Sequence, residues 1–281
     1  MIKILIGGCD RSGTTLLGSL LGTIEGAVVT PESQFKTEFV ERFGLEEKLT
    51  DDHISWLLNH WRFLLWDFSK EEKSMIRDAV TDKSLEYFCE VAVKCYAKKH
   101  KINNPIIWID HTPNNLRKTS VINDLFSKGS VNYIHIVRDP RAVYSSVKDL
   151  DWGPNTAFFG AKWYAVNIAS ALANEVPNNI YRVKYEDVLD SKEKTLKSIC
   201  LNFGVDYILS ERTVSSFKLP NYTKNQHSKI KTNKLDKSSA ITWKEKLKAS
   251  EIQELEYQLS DIIISLGYKL TLHNSCCRRN N

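Results

Sequence analysis

The sequence lacks the features typical of membrane proteins and of disulfide-stabilised scaffolds. No run among its 281 residues is long and apolar enough to span a bilayer. The six cysteines show neither C-x-x-C spacing nor the density of a disulfide scaffold, so we expect most of them to be buried thiols. Internal repeats and low-complexity tracts are also missing, which leaves the composition of an ordinary globular protein.

A strong charge of either sign is missing too. The formal net charge is only +5, which fits an anionic ligand or an acidic substrate but is too weak to indicate nucleic acid. Met1 leads directly into an apolar run, so we expect no signal peptide and a cytoplasmic location. If the sequence is part of a longer secretory-pathway protein, the lumen of that pathway is the alternative.

Five short apolar runs rich in β-branched residues predict the strands of an α/β protein. They lie at residues 2–6, 27–30, 106–109, 131–137 and 180–183. Helical periodicity fills residues 50–100, 114–128, 158–175, 192–203 and 243–266, and the aromatic stripe in the first of these is more typical of core than of a binding surface. We predict one domain over residues 1–281, with a helical insertion at about 45–103 and a lysine-rich loop at about 218–240.

The first predicted strand runs into a glycine-rich turn that opens a helix. Residues 7–15 read GGCDRSGTT, and leucines at helical spacing follow them. Such a turn points backbone N–H groups and the positive end of a helix dipole at one place, which suits a phosphate-like group. The spacing from Gly8 to Gly13 is nearly that of a nucleotide-triphosphate P-loop, but Thr14 stands where a P-loop has lysine. Because the loop carries Arg11 instead, we expect a ligand other than magnesium-ATP.

Polar residues follow the second and third predicted strands, where open α/β sheets place their ligands. Glu32 comes after the second strand and is a candidate for acid–base chemistry. Its alternative role is the acid of a helix start, because Thr30-Pro31-Glu32 also fits that pattern. Asp110 and His111 follow the third strand. A lone histidine is usually structural, but this one leaves its strand where Glu32 and the glycine-rich loop also converge.

The fourth predicted strand leads into Arg138-Asp139-Pro140-Arg141 and then into a helix that carries Ser146. Arg138 and Ser146 are about two helical turns apart, a spacing that lets a guanidinium fork and a hydroxyl grip one phosphate. The alternative is a helix-capping Asp139 beside solvated arginines, and the two roles can coexist. The basic segment that begins at residue 218 is either a solvated linker or an anion-gripping lid.

Three separated motifs resemble those of the sulfotransferases that use 3′-phosphoadenosine 5′-phosphosulfate. RSGTTL at residues 11–16 is similar to their 5′-phosphosulfate loop, VRDPRAVYSS at 137–146 to their 3′-phosphate motif, and KYEDV at 184–188 to a segment whose tyrosine lies near the nucleotide. The nearest subgroup is the tyrosylprotein-sulfotransferase-like one, where a catalytic glutamate follows the loop's arginine at the interval between Arg11 and Glu32. The resemblance implies a P-loop NTPase-like, three-layer α/β fold with a central parallel sheet flanked by helices, and sulfuryl transfer to an acceptor hydroxyl.

The resemblance also implies roles for particular residues. It makes Glu32 the base, Arg11 a catalytic residue, and His111, which stands where the family usually has lysine, the group that stabilises the departing oxygen. The residues that it assigns to the donor nucleotide are Arg11, Ser12, Gly13, Thr14, Thr15, Arg138, Ser146 and Tyr185, together with Ser228 and Lys229, which match the family's late phosphate-binding loop only loosely. No metal is implied, because a sulfuryl group carries less charge than a phosphoryl group.

The acceptor and the assembly stay open at this stage. Protein tyrosine in an acidic peptide, a carbohydrate hydroxyl and a small alcohol or phenol are all compatible with the motifs, as is a homodimer. Two other classes also remain. A magnesium-dependent P-loop kinase would need the lysine that Thr14 replaces, and His111 leaves room for a non-catalytic nucleotide-binding relative. We predict neither nucleic acid nor a membrane among the partners.

Overall fold

The computed structural model describes residues 1–178, 180–211 and 235–271, and in these ranges the chain folds around one parallel sheet. Its strands are β1 (Ile2–Gly7), β2 (Ala27–Val29), β3 (Ile107–Asp110), β4 (Val131–Val137) and β5 (Tyr181–Lys184). Their order across the sheet is β2-β3-β1-β4-β5, and every pairing is parallel. All five predicted strands are therefore confirmed.

Helices cover both faces of the sheet, so the predicted three-layer α/β class is confirmed as well. Those in the described ranges are α1 (Thr14–Leu21), α2 (Phe35–Phe43), α3 (Asp51–Asn59), α4 (Trp61–Leu64), α5 (Lys70–Val80), α6 (Leu85–Lys99), α7 (Thr119–Leu125), α8 (Pro140–Val147), α9 (Ala157–Glu175), α10 (Tyr185–Asp190), α11 (Lys192–Asn202), α12 (Trp243–Lys246) and α13 (Ala249–Ser265). The same ranges contain two 3₁₀-helices, at Pro113–Arg117 and Lys237–Ala240.

Strand β1 lies in the middle of the sheet because both of its edges are paired. Its residue Ile4 is opposite Ile109 of β3 on one side and Asn132 of β4 on the other. From Lys3 to Gly7 the strand is buried throughout, as expected for a parallel sheet that is covered on both faces. The carboxyl ends of parallel strands share one edge, so the segments that follow β1, β2, β3 and β4 face one another there.

The predicted helical insertion forms four helices, α3 to α6, between β2 and β3. Its interior is aromatic: the rings of Phe63 and Trp66 stack with centroids 5.6 Å apart, and Phe35 of α2 meets both of them edge-on. Such offset and edge-to-face pairs add to the stabilisation from buried area alone. The prediction that the aromatic stripe is core is confirmed in part: most of the predicted aromatic residues are buried or partly buried, whereas Trp61 and Leu64 are 52% and 48% exposed.

Two of the predicted helices are interrupted. Residues 114–128 form a 3₁₀-helix and then α7, because Lys118 between them has a non-helical backbone with φ −120° and ψ 24°. Residues 243–266 form α12 and α13, which are separated at Leu247, where the backbone is extended and the side chain is buried in the core. In both segments tertiary packing overrides a local helical pattern, which periodicity alone does not reveal.

Some predictions fall outside the described ranges. Only the end of the lysine-rich segment predicted at 218–240 is described, so the roles of Ser228 and Lys229 stay predictions.

The thiols of Cys9, Cys89 and Cys200 are free and buried, as expected. Across residues 1–178, 180–211 and 235–271, none of the helices has both the length and the apolar character needed to cross a bilayer.

Candidate active site

The segment between β1 and α1 is folded as an anion-binding turn. Its backbone closes on itself and on a neighbour: the N–H of Ser12 donates to the carbonyl of Cys9 at 3.1 Å, and the N–H of Gly8 donates to the carbonyl of Pro113 at 3.1 Å. Helix α1 begins directly afterwards at Thr14, with Gly13 as its N-cap. Because glycine has no side chain, the first helical N–H groups are left for a ligand, and the helix dipole favours an anion there.

Two glycines let this turn lie close against its neighbours. A Cβ atom on Gly8 would be 2.3 Å from the carbonyl oxygen of Ile136 in β4, and one on Gly13 would be 2.5 Å from Cδ2 of Tyr185. Gly13 also has a positive φ of 101°, which side chains rarely tolerate. The glycine spacing recognised in the sequence is thus required by contacts with β4 and with Tyr185.

The hydroxyls of the turn are buried at the start of α1. Ser12 is 1% exposed, and its Oγ has no hydrogen-bond partner among the described residues. Thr14 and Thr15 are buried beside it. A buried hydroxyl without a partner is costly, so Ser12 is expected to donate to a ligand. A phosphate or sulfate oxygen on the turn would supply that partner, which is the first sign that these residues fit the donor nucleotide.

Arg138, Tyr185 and Ser239 form a cluster beside the turn. Arg138 donates through one terminal nitrogen to the carbonyl of Arg11 at 2.9 Å and through the other to the carbonyl of Ser239 at 2.7 Å. Its guanidinium carbon lies 4.3 Å from the centre of the Tyr185 ring, and Tyr185 shares a 2.8 Å hydrogen bond with the Ser239 hydroxyl. The buried Nε of Arg138 lacks a partner within the described ranges, so it too is suited to an anion.

Arg138 and Ser146, which were predicted to grip one phosphate, do not contact each other in the described ranges, and their sharing of a phosphate stays a prediction. Ser146 lies on α8, and its hydroxyl donates to the carbonyl of Val143 at 2.7 Å, so no described contact joins it to Arg138. The capping alternative is correct for Asp139, which accepts from the N–H of Arg141 at 2.9 Å. It is wrong for the arginines, because Arg138 and Arg141 are buried rather than solvated. Arg141 instead forms ion pairs with Asp139 and with Glu256 of α13.

Glu32 does not serve as the acid of a helix start. Helix α2 begins at Phe35 with Gln34 as its N-cap, so Glu32 precedes the helix. Its carboxylate lies against α4 instead, with Oε2 3.0 Å from a terminal nitrogen of Arg62. Burial raises the pKa of Glu32 to about 7. The positive charge of Arg62 opposes this rise, whereas the negative charges of Asp110 and Asp10 add to it.

His111 is held in the neutral form. It is 3% exposed and packs against α1, where a Cβ atom on Gly18 would be only 3.2 Å from the Cβ of His111. Burial lowers the pKa of His111 to about 4, although the negative charge of Asp110 opposes the decrease. At neutral pH the position therefore carries an imidazole and no fixed positive charge.

A buried ion pair fixes the segments that carry Glu32 and His111. Lys36 of α2 and Asp110 at the end of β3 are 2.6 Å apart, and both side chains are completely buried. Asp110 also accepts hydrogen bonds from the hydroxyls of Ser33 and Thr112, each at 2.6 Å. Although burial alone would raise it, the pKa of Asp110 is lowered to about 2 by Lys36 and these donors. Asn115 joins the pair to β1 by accepting from Lys36 and donating to the carbonyl of Ile6.

Electrostatic coupling links the glycine-rich turn to Glu32. Burial raises the pKa of Asp10 in the turn, and the charges of Arg117, Arg62 and Arg11 lower it. Arg62 thus acts on Asp10 as well as on Glu32, and Asp10 in turn raises the pKa of Glu32. The charges of the turn and of Glu32 therefore act on each other. No cluster of three or more metal-ligating side chains is present in the part of the chain that the structure describes.

Sequence reasoning missed Arg62, Lys36 and Ser239. Arg62 lies in the helical insertion, where the pattern indicates only a packing face, and Ser239 lies in a polar segment without periodicity. Lys36 follows Glu32 closely, but nothing in the sequence shows that its ammonium is buried. Each becomes visible only through a partner distant in sequence, so no local signal could have revealed its contacts.

The turn after β1, the parallel sheet and the polar residues at its carboxyl edge define an α/β enzyme that transfers a phosphate-like group. A protein-family model described as "Sulfotransferase family" matches residues 3–208 of the sequence. The chain therefore belongs to the sulfotransferase family, and the group that it transfers is a sulfuryl. No curated protein matches the chain significantly. The family match does not extend to a subgroup, so the resemblance to tyrosylprotein sulfotransferases stays a prediction.

Two solved structures with TM-scores above 0.5 show the same fold at low sequence identity, and a third is reported with them. The sulfotransferase domain of the Synechococcus PCC 7002 olefin synthase is 19% identical with a TM-score of 0.59, and the match covers 91% of this chain and 93% of that one. The sulfotransferase domain from the curacin biosynthetic pathway is 18% identical with a TM-score of 0.54, covering 96% and 98%. Mouse sulfotransferase SULT7A1, solved with PAP, is 10% identical with a TM-score of 0.45, covering 94% and 85%.

Proposed function

We propose that the chain transfers the sulfuryl group of 3′-phosphoadenosine 5′-phosphosulfate to an acceptor hydroxyl, with Glu32 as the base. The observation that carries the proposal is that the glycine-rich turn after β1 and Glu32 after β2 lie at one edge of the parallel sheet, where the Lys36–Asp110 pair and Asn115 join their segments. It supports a common site for an anion-binding turn and for a carboxyl group whose pKa is about 7. That value suits a general base that works near neutral pH.

The donor would bind across the turn and the Arg138 cluster. The N–H groups of α1, with Ser12, Thr14 and Thr15, would hold the 5′-phosphosulfate, and Arg11 would add a positive charge. The Nε of Arg138 would contact the 3′-phosphate beside the ring of Tyr185. Ser146 would join it by turning its hydroxyl from Val143. The roles of Ser228 and Lys229 in the same nucleotide site stay predictions.

The donor supplies an activated sulfuryl group, and the chain's own residues would direct its transfer. Glu32 takes the acceptor proton as the new sulfur–oxygen bond forms and the bond from sulfur to the phosphate oxygen breaks. The bonding pair of the broken bond leaves with that phosphate oxygen. Neutral His111 and the N–H groups of α1 donate hydrogen bonds toward it. Positioning and these donors would supply most of the acceleration.

A magnesium-dependent kinase fits the site less well. Thr14 takes the place of the P-loop lysine, and Lys36 cannot replace that lysine because it is fully buried against Asp110. We expect turnover with the sulfate donor to be unchanged by EDTA. Loss of activity in EDTA that magnesium restores would favour the kinase. A protein that binds the donor but shows no turnover with any acceptor would favour the non-catalytic relative.

The central test combines a donor labelled in its sulfate with a panel of acceptors, namely phenols, sugars and tyrosine-containing acidic peptides. Mass spectrometry should show label on at least one acceptor, which would also identify its class. Glu32→Gln should lower kcat by about 100-fold or more and should leave donor affinity unchanged, because it removes the base and not the nucleotide contacts. A fully active Glu32→Gln protein would assign the base to another group.

A further inference from the structure

The short helix α4 of the insertion places one arginine against the carboxylate of Glu32. A terminal nitrogen of Arg62 lies 3.0 Å from Oε2 of Glu32, and its Nε donates to Oε1 of Gln34 at 2.7 Å. The side chain is only 13% exposed, so solvent screens its charge weakly. Arg62 thus contacts two residues of the segment that joins β2 to α2.

Packing holds this arginine in place. Its guanidinium carbon is 4.0 Å from the centre of the Trp61 ring, a stacking contact that a lysine would not reproduce. Its backbone N–H donates to Nδ1 of His60 at 3.2 Å, and Nε2 of His60 is 2.9 Å from Glu38 of α2. Helix α4 is therefore fixed to α2 at the point where Arg62 meets Glu32.

A buried base needs a nearby positive charge if it is to be ionised before it takes a proton. Burial favours the protonated form of Glu32, and the negative charges of Asp110 and Asp10 favour it further. The opposing charges come from Arg62 and, more weakly, from Lys36, which is already paired with Asp110. His111 adds no positive charge near neutral pH because it is neutral there.

We propose that Arg62 is a positioning residue for the sulfuryl transfer, holding Glu32 ionised and oriented through Oε2 so that Oε1 takes the acceptor proton. The inference rests on the proposed role of Glu32 as the base. It assigns to the helical insertion a part in the chemistry in addition to its packing. Arg62 acts through Glu32 and forms no bond to the reacting atoms in this proposal.

The first test measures the Glu32 carboxyl directly, so that it does not depend on the acceptor. The protein is labelled with ¹³C at the glutamate side-chain carboxyl, the Glu32 signal is assigned by its loss in Glu32→Gln, and the signal is titrated by NMR. Arg62→Gln should raise the pKa of Glu32 by about one unit or more, because a positive charge in contact is removed. Arg62→Lys should restore part of that difference.

A matched control separates this effect from damage to the insertion. Arg77 of α5 is also a partly buried arginine of the insertion, paired with Asp51 and bonded to Ser55. Arg77→Gln should leave the Glu32 titration unchanged. An unchanged titration in Arg62→Gln, in a protein that melts like the control, would overturn the inference. If Arg62→Gln does not fold, Arg62→Lys takes its place, because it keeps the positive charge although not the stacking contact. A Glu32 titration identical to that of the wild-type protein, together with a lowered kcat, would then overturn the inference.

The second test uses kinetics with the labelled donor and the best acceptor from the panel. Arg62→Gln should lower kcat and move the acidic limb of the pH–rate profile to higher pH, with the KM for the donor unchanged. In the Glu32→Gln background the same change should have little further effect, because the two residues act as a unit. Equal losses in both backgrounds would overturn the positioning role. A fully active Glu32→Gln protein would instead refute the proposed role of Glu32 as the base and assign that role to another group.

Discussion

Glu32 and His111 show how one environment sets two protonation states. The Glu32 side chain is mostly buried and that of His111 is almost completely buried, and burial favours the neutral form of each. The pKa of the carboxyl rises to about 7 and that of the imidazole falls to about 4. At neutral pH the site therefore holds a carboxyl group that can accept a proton and an imidazole that can donate a hydrogen bond, which is a suitable pair for transfer to a hydroxyl.

The buried imidazole should make the fold sensitive to acid. Between the ordinary pKa of 6.5 and the folded value of about 4, the unfolded chain binds a proton at His111 that the folded chain does not. Stability from this group is thus present above about pH 6.5 and is lost as the pH falls toward 4. Between pH 7 and pH 5 the wild-type protein should lose more of its free energy of unfolding than His111→Gln does, by up to about 2 kcal/mol. Urea unfolding at the two pH values measures it, and an equal loss in both proteins would contradict it.

Gly13 should tolerate no side chain, for a reason beyond its backbone conformation. A Cβ atom there would lie 2.5 Å from the Tyr185 ring, whereas Gly44, which also has a positive φ, has nothing within 4 Å. Gly44→Ala should therefore cost only backbone strain, about 1–3 kcal/mol. Gly13→Ala should cost more and should also weaken nucleotide binding. Thermal melting and calorimetry with adenosine 3′,5′-bisphosphate would compare them, and equal effects in both variants would contradict the steric argument.

At the level of the elements, the ion pair between Lys36 and Asp110 joins the segments that follow three strands. Ser33 and Lys36 follow β2, Asp110 ends β3, and Asn115 reaches the carbonyl of Ile6 in β1. A buried ion pair is weak support for net stability, but the removal of one partner leaves an uncompensated charge. Its role in this protein is to fix the relative positions of the loops that carry Glu32 and His111.

Single substitutions in this pair should be severe. Lys36→Met and Asp110→Asn should each lower the free energy of unfolding by about 3–5 kcal/mol, because each leaves the other polar group buried without its partner. The double variant should lose less than the sum of the two, since it removes both charges. Urea unfolding with an unchanged m-value would measure these losses. Additive losses below about 1 kcal/mol would show that the pair does not tie the loops together.

The elements of the fold were largely predictable because each strand is a short apolar run flanked by turns. The glycine-rich turn was also predictable from the spacing of Gly8 and Gly13. This spacing is a reliable signal because both positions make close contacts that only glycine permits. The breaks at Lys118 and Leu247 were missed because tertiary packing there overrides a helical pattern. Arg62 was missed for a related reason: on α4 it looks like an ordinary surface residue, and only the folding of the insertion against the segment after β2 gives it a partner.

At the level of the whole molecule, the proposed nucleotide site joins parts of the chain that are far apart in sequence. Arg11 is linked to Arg138, Arg138 to Ser239, and Ser239 to Tyr185. A ligand held by all of these segments binds only the folded chain and therefore raises its stability by mass action, by about 2.7 kcal/mol at a concentration 100 times its Kd.

Adenosine 3′,5′-bisphosphate should accordingly raise the Tm more than AMP does at the same concentration. The reason is the contact proposed between Arg138 and the 3′-phosphate, which should be worth roughly 1.5–3 kcal/mol as a charge-assisted hydrogen bond. Arg138→Gln should remove the difference between the two nucleotides. Thermal melting with each nucleotide measures it, and equal shifts in the wild-type protein would place the 3′-phosphate elsewhere.

The central position of β1 also divides the residues of the proposed site into two groups, one on each side of this strand. On one side lie β4 and β5, whose following segments carry Arg138 and Tyr185; on the other lie β3 and β2, whose following segments carry His111 and Glu32. The residues proposed for the 3′-phosphate thus lie on one flank and those proposed for the proton and the departing oxygen on the other, with the turn proposed to hold the 5′-phosphosulfate between them. A substitution in residues 45–103 is then expected to act on the flank that carries Glu32, which Arg62 contacts, rather than on the flank that carries Arg138 and Tyr185.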